Sequence, residues 1–169
     1  KALMELYAYN RREDNDLEKA EKELIFSIGK AYELYHYLFL LLIDLSDIAS
    51  ERIEMGLRKK IPTSEDLNPN RRFADNRIIA LLRDNEQLKR FVAGTKISWS
   101  RTPEVPRALY NKLLSWEPFT EYMSAESCTF SDDRKIVMLI LTDFLPKSED
   151  LEAAFEEQSI FWNDDIEYI

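Results

Sequence analysis

The sequence predicts an all-α protein, a multi-helix bundle built around one long helix. Only three of the 169 residues are glycine and six are proline. So few turn-forming residues argue against a fold of many short strands. Apolar side chains also recur at steps of three and four residues along one central segment, which is the spacing of one helix face. The branched run 136–141 is compatible with a buried strand, but no partner strand is evident, so we expect helices throughout.

The central segment predicts a helix of about forty residues, a length typical of the spine of a bundle. Asp16 and its neighbours offer an N-terminal cap before Leu17, and Pro62 ends the pattern. Gly29 interrupts the apolar face, where a kink or a close helix crossing is plausible. The side chains that form the regular face are Leu34, Leu38, Leu41, Leu45, Ile48 and Arg52.

Shorter helices flank this spine. A first helix is predicted near Leu3 to Tyr9, and a later one over residues 73–92, which Asp84–Asn85 divides in two. Further boundary signals are Gly94 as a C-terminal cap, Thr102–Pro103–Glu104 and Ser131–Asp132–Asp133 as helix starts, Pro146 as an end, and Ser148 as the last N-cap. We expect one all-helical domain over residues 1–169, forming the N-terminal part of a longer protein.

The charge distribution argues against direct nucleic-acid binding by this region alone. The net charge is −9, and residues 147–169 carry eight carboxylates against one lysine, so that this end holds −7 of the total. Nucleic-acid binders usually carry the opposite sign, because attraction to phosphates supplies much of their affinity.

No membrane span or secretory leader is predicted. The longest purely apolar run, from Tyr37 to Ile43, is far too short to cross a bilayer. Cys128 is the single cysteine, so no disulfide can form within the chain, and we expect a cytoplasmic location.

No catalytic constellation is apparent, and we predict neither an enzyme nor a cofactor. His36, the single histidine, forms an E-x-x-H pair with Glu33, but a di-iron bundle needs that pair twice. Adjacent carboxylates such as Glu156–Glu157 point in different directions on a helix and form no acid–base pair. A carboxylate-dependent metal enzyme is therefore kept only as the least favoured hypothesis.

Two groups of cations are candidates for RNA contact on the basis of charge. Arg58, Lys59 and Lys60 follow the long helix, where the helix dipole also favours cations. Arg71, Arg72 and Arg77 surround the start of a later helix, where the dipole does not favour them.

Several separated motifs resemble the transcription antitermination factor NusB, in the long form that carries extra N-terminal sequence. These motifs are LYAYNRRE, LEKAEKELIFSIGKAYELYHYLFLLLIDL, SEDLNPNRRFADNRIIALL, SWS with VPRALYNKL, and EEQSIFWNDD. The resemblance implies a helical, non-catalytic adaptor that pairs with the ribosomal protein NusE and binds a short single-stranded element of nascent RNA. It also implies that a C-terminal NusB-like domain, with most of the contacts to NusE, would follow residue 169.

The closing segment EAAFEEQSIFWNDDIEYI mixes carboxylates with aromatic side chains, and two interpretations stay open for it. In the first, a downstream domain covers its apolar positions. In the second, the chain is a self-contained helical scaffold with no RNA role, which docks a protein through an exposed aromatic surface. The candidate docking residues are Phe155, Phe161, Trp162 and Tyr168.

Overall fold

The computed structural model describes residues 2–11, 16–158 and 162, and within these ranges the secondary structure is helical, with no strand. The predicted all-α fold is therefore confirmed. The helices are α1 (Ala2–Arg11), α2 (Leu17–Leu57), α3 (Ser64–Leu67), α4 (Arg77–Asp84), α5 (Glu86–Thr95), α6 (Glu104–Leu113), α7 (Glu117–Ser124), α8 (Phe130–Leu139) and α9 (Glu149–Gln158).

Helix α2 is the spine that the apolar spacing predicted. It runs for 41 residues, and the Asp16 carboxylate caps it by accepting a hydrogen bond from the backbone N–H of Lys19 at 3.1 Å. Side chains of its second half contact α4, α5, α6 and the turn at Trp99, and α1 and α3 also pack against α2. The α2 side chains in the core are Leu34, Tyr37, Leu38, Leu41, Leu42, Leu45 and Ala49.

The predicted break at Asp84–Asn85 is confirmed. Asn85 ends α4, and its side-chain oxygen accepts hydrogen bonds from the first N–H groups of α5, so one residue turns the chain between two helices. Gly94 does not cap α5, which continues through it to Thr95. Lys96 takes the left-handed conformation, with φ 58°, that was expected of a capping glycine.

Helix α8 begins before the predicted Ser131. Thr129, two residues before Ser131, is the N-cap and forms a reciprocal capping box with Asp132. This capping box provides hydrogen-bond partners for backbone N–H groups at the start of α8. The chain then winds through a π-helical turn (Ile140–Phe144) and a 3₁₀ turn (Leu145–Lys147). Ser148 precedes α9, but its hydroxyl is buried and forms no hydrogen bond, so it is not the predicted side-chain cap.

Candidate functional site

Arg72 and Arg77, two of the cations predicted to contact RNA, lie at the junction of α4, α7 and α8. The centre of this junction is Asp133 on α8, whose side chain is only 3% exposed. Asn76 caps α4 through its side-chain oxygen, and its amide nitrogen donates to the hydroxyl of Tyr122 at 3.2 Å. The sequence motif NPNRRFADNR therefore supplies the contacts that hold three helices together.

The carboxylate of Asp133 accepts hydrogen bonds from three side chains. Tyr122 donates from its hydroxyl at 2.6 Å, Cys128 from its thiol at 3.1 Å, and Arg77 from its guanidinium. Burial by itself raises the pKa of Asp133, but these donors outweigh burial and hold the pKa below its ordinary value. Asp133 is therefore a buried, ionised and fully satisfied anchor.

The same junction keeps its thiol and phenol protonated. Burial is the main cause that raises the pKa of Cys128 and of Tyr122, and the neighbouring Asp133 carboxylate raises both further. The thiolate is the nucleophilic form of cysteine, so a raised pKa makes Cys128 a poor nucleophile. We therefore interpret the Cys128 thiol as a structural hydrogen-bond donor to Asp133.

Arg72 and Arg71 also bind acceptors within this chain. The guanidinium of Arg72 donates to the backbone carbonyl oxygens of Tyr122 and Ala125 and lies 5.8 Å from the centre of the Tyr122 ring. Arg71 is exposed and forms a two-pronged ion pair with Asp75, with both hydrogen bonds at 2.9 Å. Both cations already have partners within this chain.

The second predicted cation group, after α2, is partly paired. Arg58 pairs with Glu54 one turn earlier, and Lys59 donates to both oxygens of Asp66 at 2.9 and 3.0 Å. The lysine, followed by the N–H and hydroxyl of Thr63, lowers the pKa of Asp66 to about 2. Within the described ranges, Lys60 is the one member of the six predicted cations for which neither an ion pair nor a hydrogen bond is found.

The predicted docking aromatics Phe155 and Trp162 are not exposed. Phe155 is 0% and Trp162 is 2% exposed, and both rings contact Tyr37, at centroid distances of 6.2 and 5.3 Å. The indole N–H of Trp162 donates to the carbonyl oxygen of Lys30 at 3.0 Å. The expectation of an exposed aromatic surface is thus wrong at these two positions, because α2 covers them. The other two candidates, Phe161 and Tyr168, lie outside the described residues.

His36 is buried and has a packing role. Its Nδ1 lies 2.7 Å from the carbonyl oxygen of Tyr32, and its ring stacks on Phe91 of α5 at 3.9 Å between centroids. The neighbouring Glu33 pairs instead with Lys30 at 2.6 Å. No group of three or more possible metal ligands occurs in the part of the chain that the structure describes.

A cleft of about 270 Å³ between α2 and the Ser98–Arg107 segment contains a group that the sequence analysis missed. Asp44 lines it, and burial, followed by the charge of Asp47, raises the Asp44 pKa to about 6. Arg83 donates to both oxygens of Asp47, at 2.7 and 3.2 Å, and its charge lowers the Asp44 pKa by less than burial and Asp47 raise it. The sequence signal for this pair was the three-residue spacing of Asp44 and Asp47, which places two carboxylates close together on one face of α2.

The described residues thus form a helical bundle in which the polar clusters hold helices together through hydrogen bonds and ion pairs. None of its helices, over the ranges described, combines the length and apolarity needed to cross a membrane. Comparison with protein-family models, with curated proteins and with solved structures finds no match to this chain.

Proposed function

We propose that the chain is a helical, non-catalytic region of a transcription antitermination factor of the NusB type. In this proposal the complete factor, with ribosomal protein NusE as partner, binds nascent RNA and regulates transcription elongation and termination. The observation that carries the proposal is the set of motifs, from LYAYN to EEQSIFWNDD, that resembles this family along nearly the whole chain. The all-α bundle around a 41-residue helix is the kind of fold that the resemblance implies.

Within that function, we assign this region a role in protein contacts and positioning rather than in gripping RNA. Five of the six predicted cations bind acceptors in this chain, and the net charge of −9 repels phosphates. Two groups that could act as nucleophile or base are held inactive by packing, since the Cys128 thiol has a raised pKa and His36 is buried against Phe91. These facts support an adaptor and not an enzyme.

A helical protein-interaction scaffold without an RNA role is the second candidate. The pairing of the predicted cations favours it as much as it favours a positioning role. The two differ in whether the complete gene product binds RNA at all.

Fluorescence anisotropy with a labelled single-stranded RNA distinguishes them. The full-length gene product that contains this chain is titrated with and without NusE. We expect binding that NusE strengthens, and a change below about twofold when Arg71 and Arg58 are both replaced by alanine, because each already has a carboxylate partner. The absence of RNA binding with NusE present would refute the antitermination function and leave the scaffold.

A matched control for the titration is Glu86→Ala. It removes an exposed charge that pairs with Lys89 on α5, so it tests whether any surface charge change alters the anisotropy. A loss of RNA affinity of tenfold or more that is confined to the Arg71/Arg58 variant would overturn the positioning role and make these arginines direct contacts.

A further inference from the structure

A second cleft, of about 240 Å³, lies between the last turns of α2 and the helices α3, α6 and α7. We call it the Tyr110 cleft, and its apolar lining includes Ala49 and Ile53 of α2 together with Phe73, Tyr110 and Met123. An apolar cavity of about 150 Å³ is large enough to bind benzene. The Tyr110 cleft therefore has room for one aromatic ring with a short polar group attached, and aromatic faces and a thioether are favourable surroundings for such a ring.

Two polar side chains of the lining are already occupied. Asp66 accepts hydrogen bonds from Lys59 and from the hydroxyl of Thr63, both at 2.9 Å. Asn70 donates to the carbonyl oxygen of Met123 at 2.7 Å and accepts a backbone N–H at 3.1 Å. The selection of a ligand therefore depends on the other polar groups of the cleft.

Two of these groups, Tyr110 and Arg52, retain hydrogen-bond donors. The Tyr110 side chain is 6% exposed, and no hydrogen bond of its hydroxyl is found among the described residues. Burial raises the pKa of Tyr110, so the phenol stays protonated and is a donor. The guanidinium of Arg52 lies 4.8 Å from the centre of the Tyr110 ring and donates to Asn111. Because a guanidinium has five N–H groups, Arg52 keeps donors for a ligand beside Tyr110.

The charges of the lining identify the class of ligand. Three charged side chains line the cleft, and one of them, Asp66, is neutralised by Lys59. No ion pair of Arg52 or Glu65 is found within the described ranges, so one cation and one carboxylate remain. A ligand with only a carboxylate would be repelled by Glu65, and a ligand with only an amine would be repelled by Arg52. A zwitterion complements both charges.

We propose that the Tyr110 cleft binds a free aromatic amino acid, with its carboxylate at Arg52, its ammonium at Glu65 and its ring among the apolar side chains. The Tyr110 hydroxyl donates a further hydrogen bond to the carboxylate of the ligand. A ligand of about twelve heavy atoms should bind with a dissociation constant of roughly 0.1–1 mM. The site goes beyond the proposed adaptor function, because Arg52, Glu65 and Tyr110 are not among the predicted RNA or docking residues.

Titration of the 169-residue chain with L-phenylalanine, followed by NMR of methyl-labelled methionines, tests the site directly. Met123 lines the cleft, whereas Met55 and Met138 do not. We expect a saturable shift of the Met123 methyl signal with a dissociation constant in the stated range, and no saturable shift at Met55 or Met138.

Ligand analogues test each contact without changing the protein. L-Alanine lacks the ring and L-phenylalaninamide lacks the carboxylate, so each should bind at least tenfold more weakly. 3-Phenylpropanoate lacks only the ammonium, whose partner Glu65 is exposed, and should bind about threefold more weakly.

Substitutions test the same contacts from the side of the protein. Arg52→Gln should weaken the binding of L-phenylalanine about tenfold, and Glu65→Gln about threefold. Glu65→Gln should not weaken the binding of 3-phenylpropanoate, because this ligand has no ammonium. Arg58→Gln is the matched control, because Arg58 is an exposed arginine at the end of the same helix and lies outside the cleft. It should bind L-phenylalanine like the parent.

Three outcomes would overturn the proposal. They are no saturable shift at Met123 up to about 10 mM L-phenylalanine, ten times the weakest constant expected, equal affinities for L-phenylalanine and 3-phenylpropanoate, and an unchanged affinity for L-phenylalanine in Arg52→Gln.

Discussion

The two halves of α2 both have apolar side chains at helical spacing, but their surroundings differ. From Leu34 to Ala49 the helix is enclosed by α4, α5, α6 and the aromatic rings of Trp99 and Phe155, and its apolar face is buried. From Leu17 to Tyr32 the same helix leaves Ile25 and Ile28 exposed, at 61% and 54%. The comparison shows that apolar spacing predicts which face of a helix is apolar, but does not predict whether other helices bury that face.

The largest effect on the free energy of unfolding is expected at Asp133, a buried charge in the packed part of the bundle. Asp133→Ala removes the acceptor of Tyr122, Cys128 and Arg77 and leaves these donors unsatisfied. Loss of one member of a buried charged network should lower the free energy of unfolding by about 4 kcal/mol, measured by urea denaturation. The control is Asp75→Ala, which removes the exposed partner of Arg71 and should change it by less than about 0.5 kcal/mol. Equal effects of the two substitutions would show that the junction does not hold α4, α7 and α8 together.

Substitution of two phenylalanines, one buried and one exposed, compares the packed core with the exposed first half of α2. Phe155→Ala empties a fully buried site between Tyr37 and Trp99 and should lower the free energy of unfolding by about 3 kcal/mol. Phe26→Ala, at a position 52% exposed in the first half of α2, should change it by less than about 1 kcal/mol. A small loss for Phe155→Ala in thermal or urea unfolding would instead return this ring to the docking role that the sequence suggested.

The raised pKa of Asp44 makes stability depend on pH. A carboxyl whose pKa is about 6 in the folded protein and lower when unfolded destabilises the fold once it ionises. The parent should therefore lose stability as the pH rises from about 4 to about 6, and Asp44→Asn should remove that loss. At pH 7.5 the variant should be more stable by about 1 kcal/mol, reduced for solvent screening, and at pH 4 the two should be equal.

The control for this titration is Asp75→Asn. It removes the exposed partner of Arg71, which does not line the cleft of Asp44, and should give no gain in stability at pH 7.5. A pH profile of unfolding that is the same for the parent and for Asp44→Asn would contradict the burial of this carboxyl.

Two glycines of α2 give the smallest predicted effects, of opposite sign. Gly29→Ala should raise the free energy of unfolding by about 0.7 kcal/mol, because the site is open and alanine favours helix. Gly56→Ala should lower it, because its Cβ would lie 2.6 Å from the Asp66 oxygen that Lys59 holds in place. Thermal unfolding of both variants tests this, and an equal gain for both would mean that the Asp66 side chain moves aside freely.

Local sequence signals predicted the helices well and the site poorly. The spacing from Leu34 to Leu45 and the divider Asn85 are local, so the spine and the α4–α5 break could be predicted. The partners of Arg77 lie more than fifty residues away in sequence, so charge alone suggested RNA contact where the fold supplies Asp133. The burial of Trp162 depends on the carbonyl of Lys30, 132 residues earlier, which no periodicity reveals.

Amide hydrogen exchange along α2 tests the contrast between its two halves most directly. Both halves belong to one continuous helix, so each serves as the control for the other. We predict that amides from Leu38 to Ala49 exchange only through global unfolding, whereas those from Lys22 to Ile28 exchange through local opening and are orders of magnitude faster. Equally slow exchange in both halves would contradict this account, because it would mean that the first half is already held by the rest of this chain.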